Sequence, residues 1–382
     1  MQNFTEKLQS TADHFKNGDL SLGYRKLVDC VLDTKDLRLY EKIIELTEWK
    51  ETNVPSKELL YQKLNDFIHK LARIEIPAIK QKEVLLKAKS VSKKYGRGNF
   101  QLGKVSLTVK QGDVWGLVGE NGNGKTTLLR ILAKDLSYDS GEINYSIQKD
   151  VESEYDLRTK LTYIPQRTPK WHGSLKSNLK FAAAHYGIKG EENELLVNMM
   201  IIRFGLWHFR KHNWNELSSG YKMRFELART FLRAPKILLL DEPLANLDVL
   251  AQQIVLEDLK NLSQSLANPI GIILSSQQLF EVEKVSDKVL FLKDGKPTHL
   301  SDANDGEENL CVMELDVECS RDELSEALDR IKIREIDFNG SMYILTINQA
   351  NGFNKVLSAL IKKGIEIKYV RNISQSTKRL FL

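Results

Sequence analysis

Little cysteine, little histidine and no long apolar run set the first limits on this chain. Its three cysteines, Cys30, Cys311 and Cys319, stand at no metal-ligand spacing. An odd number without a framework excludes a disulfide scaffold and fits a reducing compartment, each thiol reading as a small buried hydrophobe. Nowhere do about 18 uncharged apolar residues follow one another, so no segment is expected to span a membrane. The first ten residues, MQNFTEKLQS, lack the apolar stretch of a secretory signal. A cytoplasmic protein is expected, held at a surface only through a partner. Net charge is +5, too modest an excess to argue for nucleic acid, which is not expected as a partner. No histidine lies between His212 and His299.

What is present fills more than one core, since 382 residues exceed an ordinary domain. Residues 1–80 read as an all-helical accessory module of about four short helices. Leu37, Tyr40, Ile43 and Ile44 recur at helical spacing, as do Leu60, Leu64, Phe67, Ile68 and Leu71. Asn17-Gly18-Asp19 and Asn53-Val54-Pro55-Ser56 break them. From Val84 to about 300 the pattern alternates buried strands (84–88, 107–109, 114–118, 237–240, 270–274) with helices (127–132, 175–186, 194–204, 221–232, 249–266). That alternation predicts an α/β domain with a parallel sheet covered on both faces. The charged stretch 149–160 reads as a surface excursion and 301–308 as an acidic linker. Residues 309–382 run strand, helix, strand, strand, helix, strand, a ferredoxin-like order with a hairpin at Asn339-Gly340. No catalytic constellation falls there, so that lobe reads as regulatory or dimerising.

The stretch 119–126, GENGNGKT, is G-x-x-x-x-G-K-T between an apolar strand and a helix, the context of a phosphate-binding P-loop. Gly119, Gly122 and Gly124, with Asn121 between them, let backbone N–H groups turn inward around an anion, beside the N-terminus of the helix that Thr127 continues. Lys125 supplies a charge for the terminal phosphates of a nucleoside triphosphate, and Thr126 a hydroxyl for Mg²⁺. Residues 237–242, ILLLDE, end a buried strand in two carboxylates. Asp241 can hold the hydration shell of Mg²⁺ beside Thr126. Glu242 can orient or deprotonate a water aimed at the terminal phosphate. Leu217-Ser218-Ser219-Gly220 opens a helix and offers a second anion site, although a serine there is by itself an ordinary cap.

The order of these pieces resembles the ATP-binding subunits of ABC transporters over about 84–300. P-loop, then Gln166, then LSSGY, then LLLDE, then Asp248 is that family's layout. The resemblance implies that ATP and Mg²⁺ are the cofactors. It implies that Tyr95 stacks on adenine and that Gln166 reaches the metal and the attacking water. It also implies that Ser218 and Gly220 form the signature motif and that Asp248 lies on the loop crossing to a second subunit. Two such domains dock head to tail, each ATP lying between the P-loop of one and the signature of the other. One chain carries one set of motifs, so a homodimer or a paired ABC ATPase is implied, acting with a separate membrane permease on the cytoplasmic face of the inner membrane. The tail, ending at 374–381 in SQSTKRLF, is similar to the extension of export-type ATPase subunits. Two departures stand out. The helical segment before residue 81 is extra to the usual pattern, and Gln277 stands where the family usually places a histidine that touches the γ-phosphate. Two rival readings stay open, a soluble ABC ATPase acting on a macromolecule such as the ribosome and an ATP-gated interaction module that barely hydrolyses. Because the motif set is complete without them, residues 81–300 are expected to fold and bind ATP without the first 76.

Overall fold

Four helices open the chain, and a short polar side chain caps each of them. They are α1 (Phe4–Lys16), α2 (Leu20–Thr34), α3 (Leu37–Asn53) and α4 (Lys57–Leu71), capped by Asn3, Asp19, Asp36 and Ser56. The computed structural model describes residues 3–77, 81–96, 100–147, 153–299, 311–338, 340–347 and 352–374, with the backbone alone at Thr298 and His299. The stretch 301–308, the tail 375–382 and Asn339 of the expected hairpin lie outside the described residues. Among the described residues no helix is long and apolar enough to cross a membrane.

Strands β1 (Val84–Lys94) and β2 (Gln101–Lys110) pair antiparallel, and β1 also pairs with a later strand, β4. After β2 the chain runs through β3 (Val114–Val118), α5 (Lys125–Leu132) and then β4 itself (Ser140–Tyr145). The chain continues through α6 (Glu154–Lys160), β5 (Leu161–Ile164), α7 (Leu175–His185), α8 (Gly190–Arg203) and α9 (Ser219–Phe231). Then follow β6 (Ile237–Leu240), α10 (Val249–Ser263), β7 (Gly271–Ser276), α11 (Leu279–Glu283), β8 (Lys288–Lys293) and β9 (Lys296–His299). The six-stranded sheet has the order β5-β6-β7-β3-β8-β9, with the pairs from β5 through β8 parallel. Alternate residues of each inner strand enter different cores. Val114, Val118, Leu238, Leu240, Ile272 and Leu274 face one, while Trp115, Leu117, Leu239 and Ile273 face the other with α5 and the antiparallel sheet. This is the α/β sheet covered on both faces that the alternation predicts, except that the strands at 84–88 and 107–109 lie in the separate antiparallel sheet. The 149–160 excursion differs, because Ser153 caps a helix there that buries Leu157.

The first core does not stop at residue 81. Leu27, Val28, Ile43 and Leu64 of the opening helices belong to the same apolar cluster as Val197, Ile201 and Leu259. Residues Met1–Pro297 accordingly form one compact unit. Charge reinforces the junction. Arg203, fully buried at the end of α8, donates to Asp29 of α2 and, through Nη1 at 2.7 Å, to Asp258 of α10. Arg25 of α2 donates to the same Asp258 oxygen at 2.8 Å. Asp33 accepts from the backbone N–H groups of Leu266 and Ala267 at 3.0 and 3.2 Å, closing the turn after α10. This packing argues against the expectation that residues 81–300 fold without the first 76. Removing the helices would bare apolar surface and take Asp29 from the buried Arg203, leaving it Asp258 as its carboxylate partner.

The second unit, Thr298–Leu382, holds β10 (Cys311–Val317), α12 (Arg321–Ala327), β11 (Ile333–Phe338), β12 (Tyr343–Ile347), α13 (Gly352–Lys362) and β13 (Ile367–Asn372). Its antiparallel sheet runs β11-β12-β10-β13, the strand order of a ferredoxin-like fold. Met313, Leu315, Leu324, Leu345, Val356 and Leu360 fill its core.

Candidate nucleotide site

Four parallel strands end at one edge of the six-stranded sheet, and each delivers a predicted residue there. β3 runs into Gly119, β5 into Gln166, β6 into Asp241 and Glu242, and β7 into Ser275 to Gln277. The carboxyl edge of an open parallel sheet is where α/β folds bind ligands, because the loops there diverge and leave a crevice.

The loop from β3 to α5 needs glycine at two points. Gly124 has φ +95°, and it begins α5 with no side-chain cap, so side chains do not occupy the first N–H groups of the helix. A Cβ on Gly119 would lie 2.4 Å from the Leu292 carbonyl oxygen. Asn121 and Gly122 form the exposed tip, and Asn123 Oδ1 accepts from Asp294 N–H at 3.1 Å, fixing the loop against the turn after β8. Lys125 is buried at 4% exposure, and Nζ donates to the Gly119 and Glu120 carbonyls at 2.7 and 3.1 Å. Its charge lies 3.2 Å from Glu242 Oε1. Thr127 Oγ1 and the Tyr95 hydroxyl are 3.2 Å apart, which sets the exposed Tyr95 ring over the first turn of α5. Phe100 stands beside it, ring centroids 6.2 Å apart.

Asp241 is the hub of the acidic side. Oδ2 accepts from Thr126 Oγ1 at 2.8 Å and from the Tyr163 hydroxyl at 3.2 Å, and Oδ1 accepts from Ser275 Oγ at 2.9 Å. Burial, then the neighbouring Asp241 charge, pushes the Tyr163 phenol well above its ordinary range, so it stays a donor. The Glu242 backbone N–H donates to Ser275 Oγ at 2.8 Å. Glu242 itself has φ +46°, a left-handed conformation costly for a side-chain-bearing residue by about 1 kcal/mol. Its Oε2 accepts from Gln277 Nε2 at 2.9 Å and from Gln166 Nε2 at 3.2 Å. Lys125, Gln166 and Gln277 thus converge on one carboxylate.

Ser218 and Asp248 fall elsewhere, at the N-termini of α9 and α10, and both act as caps. Ser218 Oγ accepts from Tyr221 N–H at 3.4 Å, and Asp248 Oδ1 from Ala251 N–H at 2.8 Å. They neighbour each other, since Ser219 Oγ donates to the Asn246 carbonyl at 2.8 Å and a Cβ on Gly220 would sit 3.3 Å from Ala251 Cβ. Among the described residues no hydrogen bond joins Ser218 or Gly220 to the P-loop. Sequence reasoning missed Tyr163, Ser275 and Phe100. The first two carried a usable signal, a polar side chain at the carboxyl end of a buried parallel strand.

The donor set suits a magnesium nucleotide. Among the described residues no group of three His, Cys, Asp or Glu side chains is placed to hold a metal ion. A hydroxyl 2.8 Å from one carboxylate beside a phosphate loop is instead the sparse set with which Mg²⁺ is held when waters and phosphates complete the octahedron. Fold and site together define a P-loop nucleotide-binding domain of the ABC class.

Comparison with known proteins narrows this. The profile of the family described as ABC transporter matches residues 102–245. The lantibiotic transport ATP-binding protein SrtF of Streptococcus pyogenes is 31% identical over 228 residues, 59% of this chain and 94% of that protein. The spermidine/putrescine import ATP-binding protein PotA of Mesoplasma florum is 32% identical over 211 residues, 55% of this chain but only 59% of its own length. Among solved structures, cbiO1 from Clostridium perfringens, part of the ABC transporter complex cbiONQ, matches with a TM-score of 0.52 at 25% identity, over 56% of this chain and 87% of that one. The chain belongs to the family of ABC transporter ATP-binding subunits.

Proposed function

We propose that this protein is the ATP-binding and ATP-hydrolysing subunit of an ABC transporter and drives a separate membrane permease as a head-to-tail dimer. The observation that carries the reading is the convergence of Lys125, Gln166 and Gln277 on Glu242, beside the Thr126–Asp241 pair. Bound ATP supplies a phosphoanhydride, and Mg²⁺ supplies positive charge against its oxygens. The residues do the rest. Lys125 and the N–H groups of the loop hold the terminal phosphates, and Thr126 and Asp241 would hold the metal. Tyr163 and Ser275 keep the Asp241 carboxylate oriented. Glu242 accepts the proton of the attacking water, with Gln166 and Gln277 fixing its rotamer. Tyr95 stacks on the base. Ser218, Gly220 and Asp248 stand apart from the P-loop of their own chain and serve the site of a second copy.

We further infer an export-type system at the cytoplasmic face of the inner membrane, on the likeness of the C-terminal lobe to that class. The matched relatives include a transport subunit and import subunits alike, so this assignment of direction is carried by the C-terminal lobe. Phosphate release by the purified chain with ATP, with and without Mg²⁺, tests the reading. Magnesium-dependent turnover is expected, and its absence together with failure to bind nucleotide would overturn it. Co-purification of a permease from membranes tests the partnership.

A further inference from the structure

A glutamate lies inside α9 where an apolar side chain would pack. Glu226 is 1% exposed, yet both of its oxygens are occupied. Oε1 accepts from the Trp171 indole N–H at 2.6 Å. Oε2 accepts from Arg229 Nε and Nη2 at 3.1 and 2.7 Å. The Arg229 guanidinium also stands 4.7 Å from the centroid of the Trp171 ring, closing a three-membered cluster of indole, carboxylate and guanidinium. A buried charge pair of this kind is a poor source of stability, because desolvation offsets most of the attraction. What it does well is fix geometry, since each donor has one direction and the penalty for losing it is large.

The two ends of the cluster belong to different parts of the nucleotide machinery. Trp171 lies on the loop that leaves Gln166, the residue hydrogen-bonded to Glu242. Glu226 lies on α9, the helix that Ser218 begins. An aromatic relay runs parallel to it. Phe225 meets Trp171 edge-on at 6.3 Å and Trp214 at 5.4 Å, and the short 3₁₀ turn Trp214–Glu216 leads straight into Leu217 and Ser218. The backbone ties the same two segments together, with Leu175 N–H donating to the His212 carbonyl at 2.9 Å and Lys176 N–H to Arg210 at 3.0 Å.

We propose that Glu226 is a positioning residue that locks the loop after Gln166 to helix α9, so that a displacement of Gln166 at this chain's own nucleotide site is delivered to Ser218, which serves the site of a second copy. The proposal rests on the functional reading above. It makes Trp171 the moving end, Glu226 the joint and α9 the lever, about 12 Å of rigid helix between Glu226 and Ser218. Breaking the joint leaves the phosphate loop intact and uncouples the signature end.

The test uses the full chain with two substitutions. Trp171→Phe keeps a ring for Arg229 and Phe225 but removes the N–H donor together with the second ring of the indole, and Glu226→Gln keeps the shape and removes the charge. Steady-state hydrolysis is measured against ATP concentration. Hydrogen exchange with and without ATP is followed in the Glu242→Gln background. Each variant is expected to lose about tenfold in kcat with KM changed less than about twofold, the scale of one hydrogen bond to a charged group. Because Trp171 and Glu226 belong to one joint, the double variant should lose less than the product of the two single losses. ATP should slow exchange at 119–126 in all chains but at 218–221 only where the joint is intact. An active wild type whose variants match it in kcat and in exchange at 218–221 overturns this proposal alone, as does equal loss of protection at both segments, which marks a merely structural role. A wild type that shows neither turnover nor protection at 119–126 removes the functional reading and this proposal with it.

Discussion

Gln277 Nε2 donates to Glu242 Oε2 at 2.9 Å, the same oxygen that Gln166 Nε2 reaches at 3.2 Å. Two neutral amides therefore hold the carboxylate proposed as the base, and one of them, Gln277, stands where the family usually has a histidine. A glutamine donates from its amide but carries no charge and does not titrate. It can orient Glu242 and sense a phosphate, yet adds nothing to the stabilisation of charge as the terminal phosphate departs. Losing a donor of that kind costs about 10²–10³ in rate at the high end. Gln277→His is expected to raise steady-state hydrolysis severalfold with little change in ATP affinity. An unchanged or lower rate, assayed beside the wild type, would contradict this account of Gln277.

Lys125 is the buried cation of the loop, 3.2 Å from Glu242 and held by two carbonyls of its own turn. Lys125→Ala removes the charge that faces the phosphates, and ATP binding or turnover should be abolished. Fluorescent-nucleotide titration checks it, and wild-type affinity and turnover in the variant would refute the P-loop assignment.

Arg203 and Asp258 are both fully or nearly fully buried, and Arg25 shares the same carboxylate oxygen. Asp258→Ala leaves two guanidinium groups short of a partner at the junction of α2, α8 and α10. A loss of about 3–5 kcal/mol in unfolding free energy is expected, read from urea denaturation. Deleting residues 1–76 should do worse, because it uncovers the cluster around Val197, Ile201 and Leu259. A monodisperse truncated chain with full-length ATP affinity would contradict the shared core.

Lys176 and then Lys180, by hydrogen bonds, pull the Glu194 carboxyl down to about 2, joining α7 to α8. A depressed folded value means stabilisation present above the unfolded value of about 4.3 and lost as pH falls through about 4 toward 2. The side chain is 39% exposed, so screening keeps the term under about 1 kcal/mol. Glu194→Gln should therefore melt slightly lower than wild type at pH 7 and indistinguishably from it near pH 2. A gap that persists or widens at low pH would mean that the lysines do not act through this charge.

Much of the site was legible because its chemistry needs particular residues in a fixed order. GENGNGKT demands a strand before it and a helix after it, and ILLLDE places two acids where a buried strand must end. The ferredoxin-like lobe was legible from periodicity, since its sheet order follows once the strands and helices alternate as they do. The helix Glu154–Lys160 was hidden by its charge, since only Leu157 of that turn enters the core. Tyr163 and Ser275 were hidden because a hydroxyl near a carboxylate is a relation between strands, not along one. The joining of α1–α4 to the cassette was hidden for the same reason. Arg203 lies 174 positions beyond Asp29, and no local pattern announces a pair at that separation.

The central claim is that Glu242 is the base of an ATP-hydrolysing dimer, and one substitution tests it most directly. Glu242→Gln preserves the shape of the side chain but cannot accept the proton of the attacking water. Size-exclusion chromatography with ATP and Mg²⁺, run beside a phosphate-release assay, reads both halves of the claim. The account predicts wild-type ATP affinity, no turnover and a stable ATP-bound dimer. Hydrolysis at the wild-type rate, or an ATP-loaded chain that stays monomeric, would contradict it.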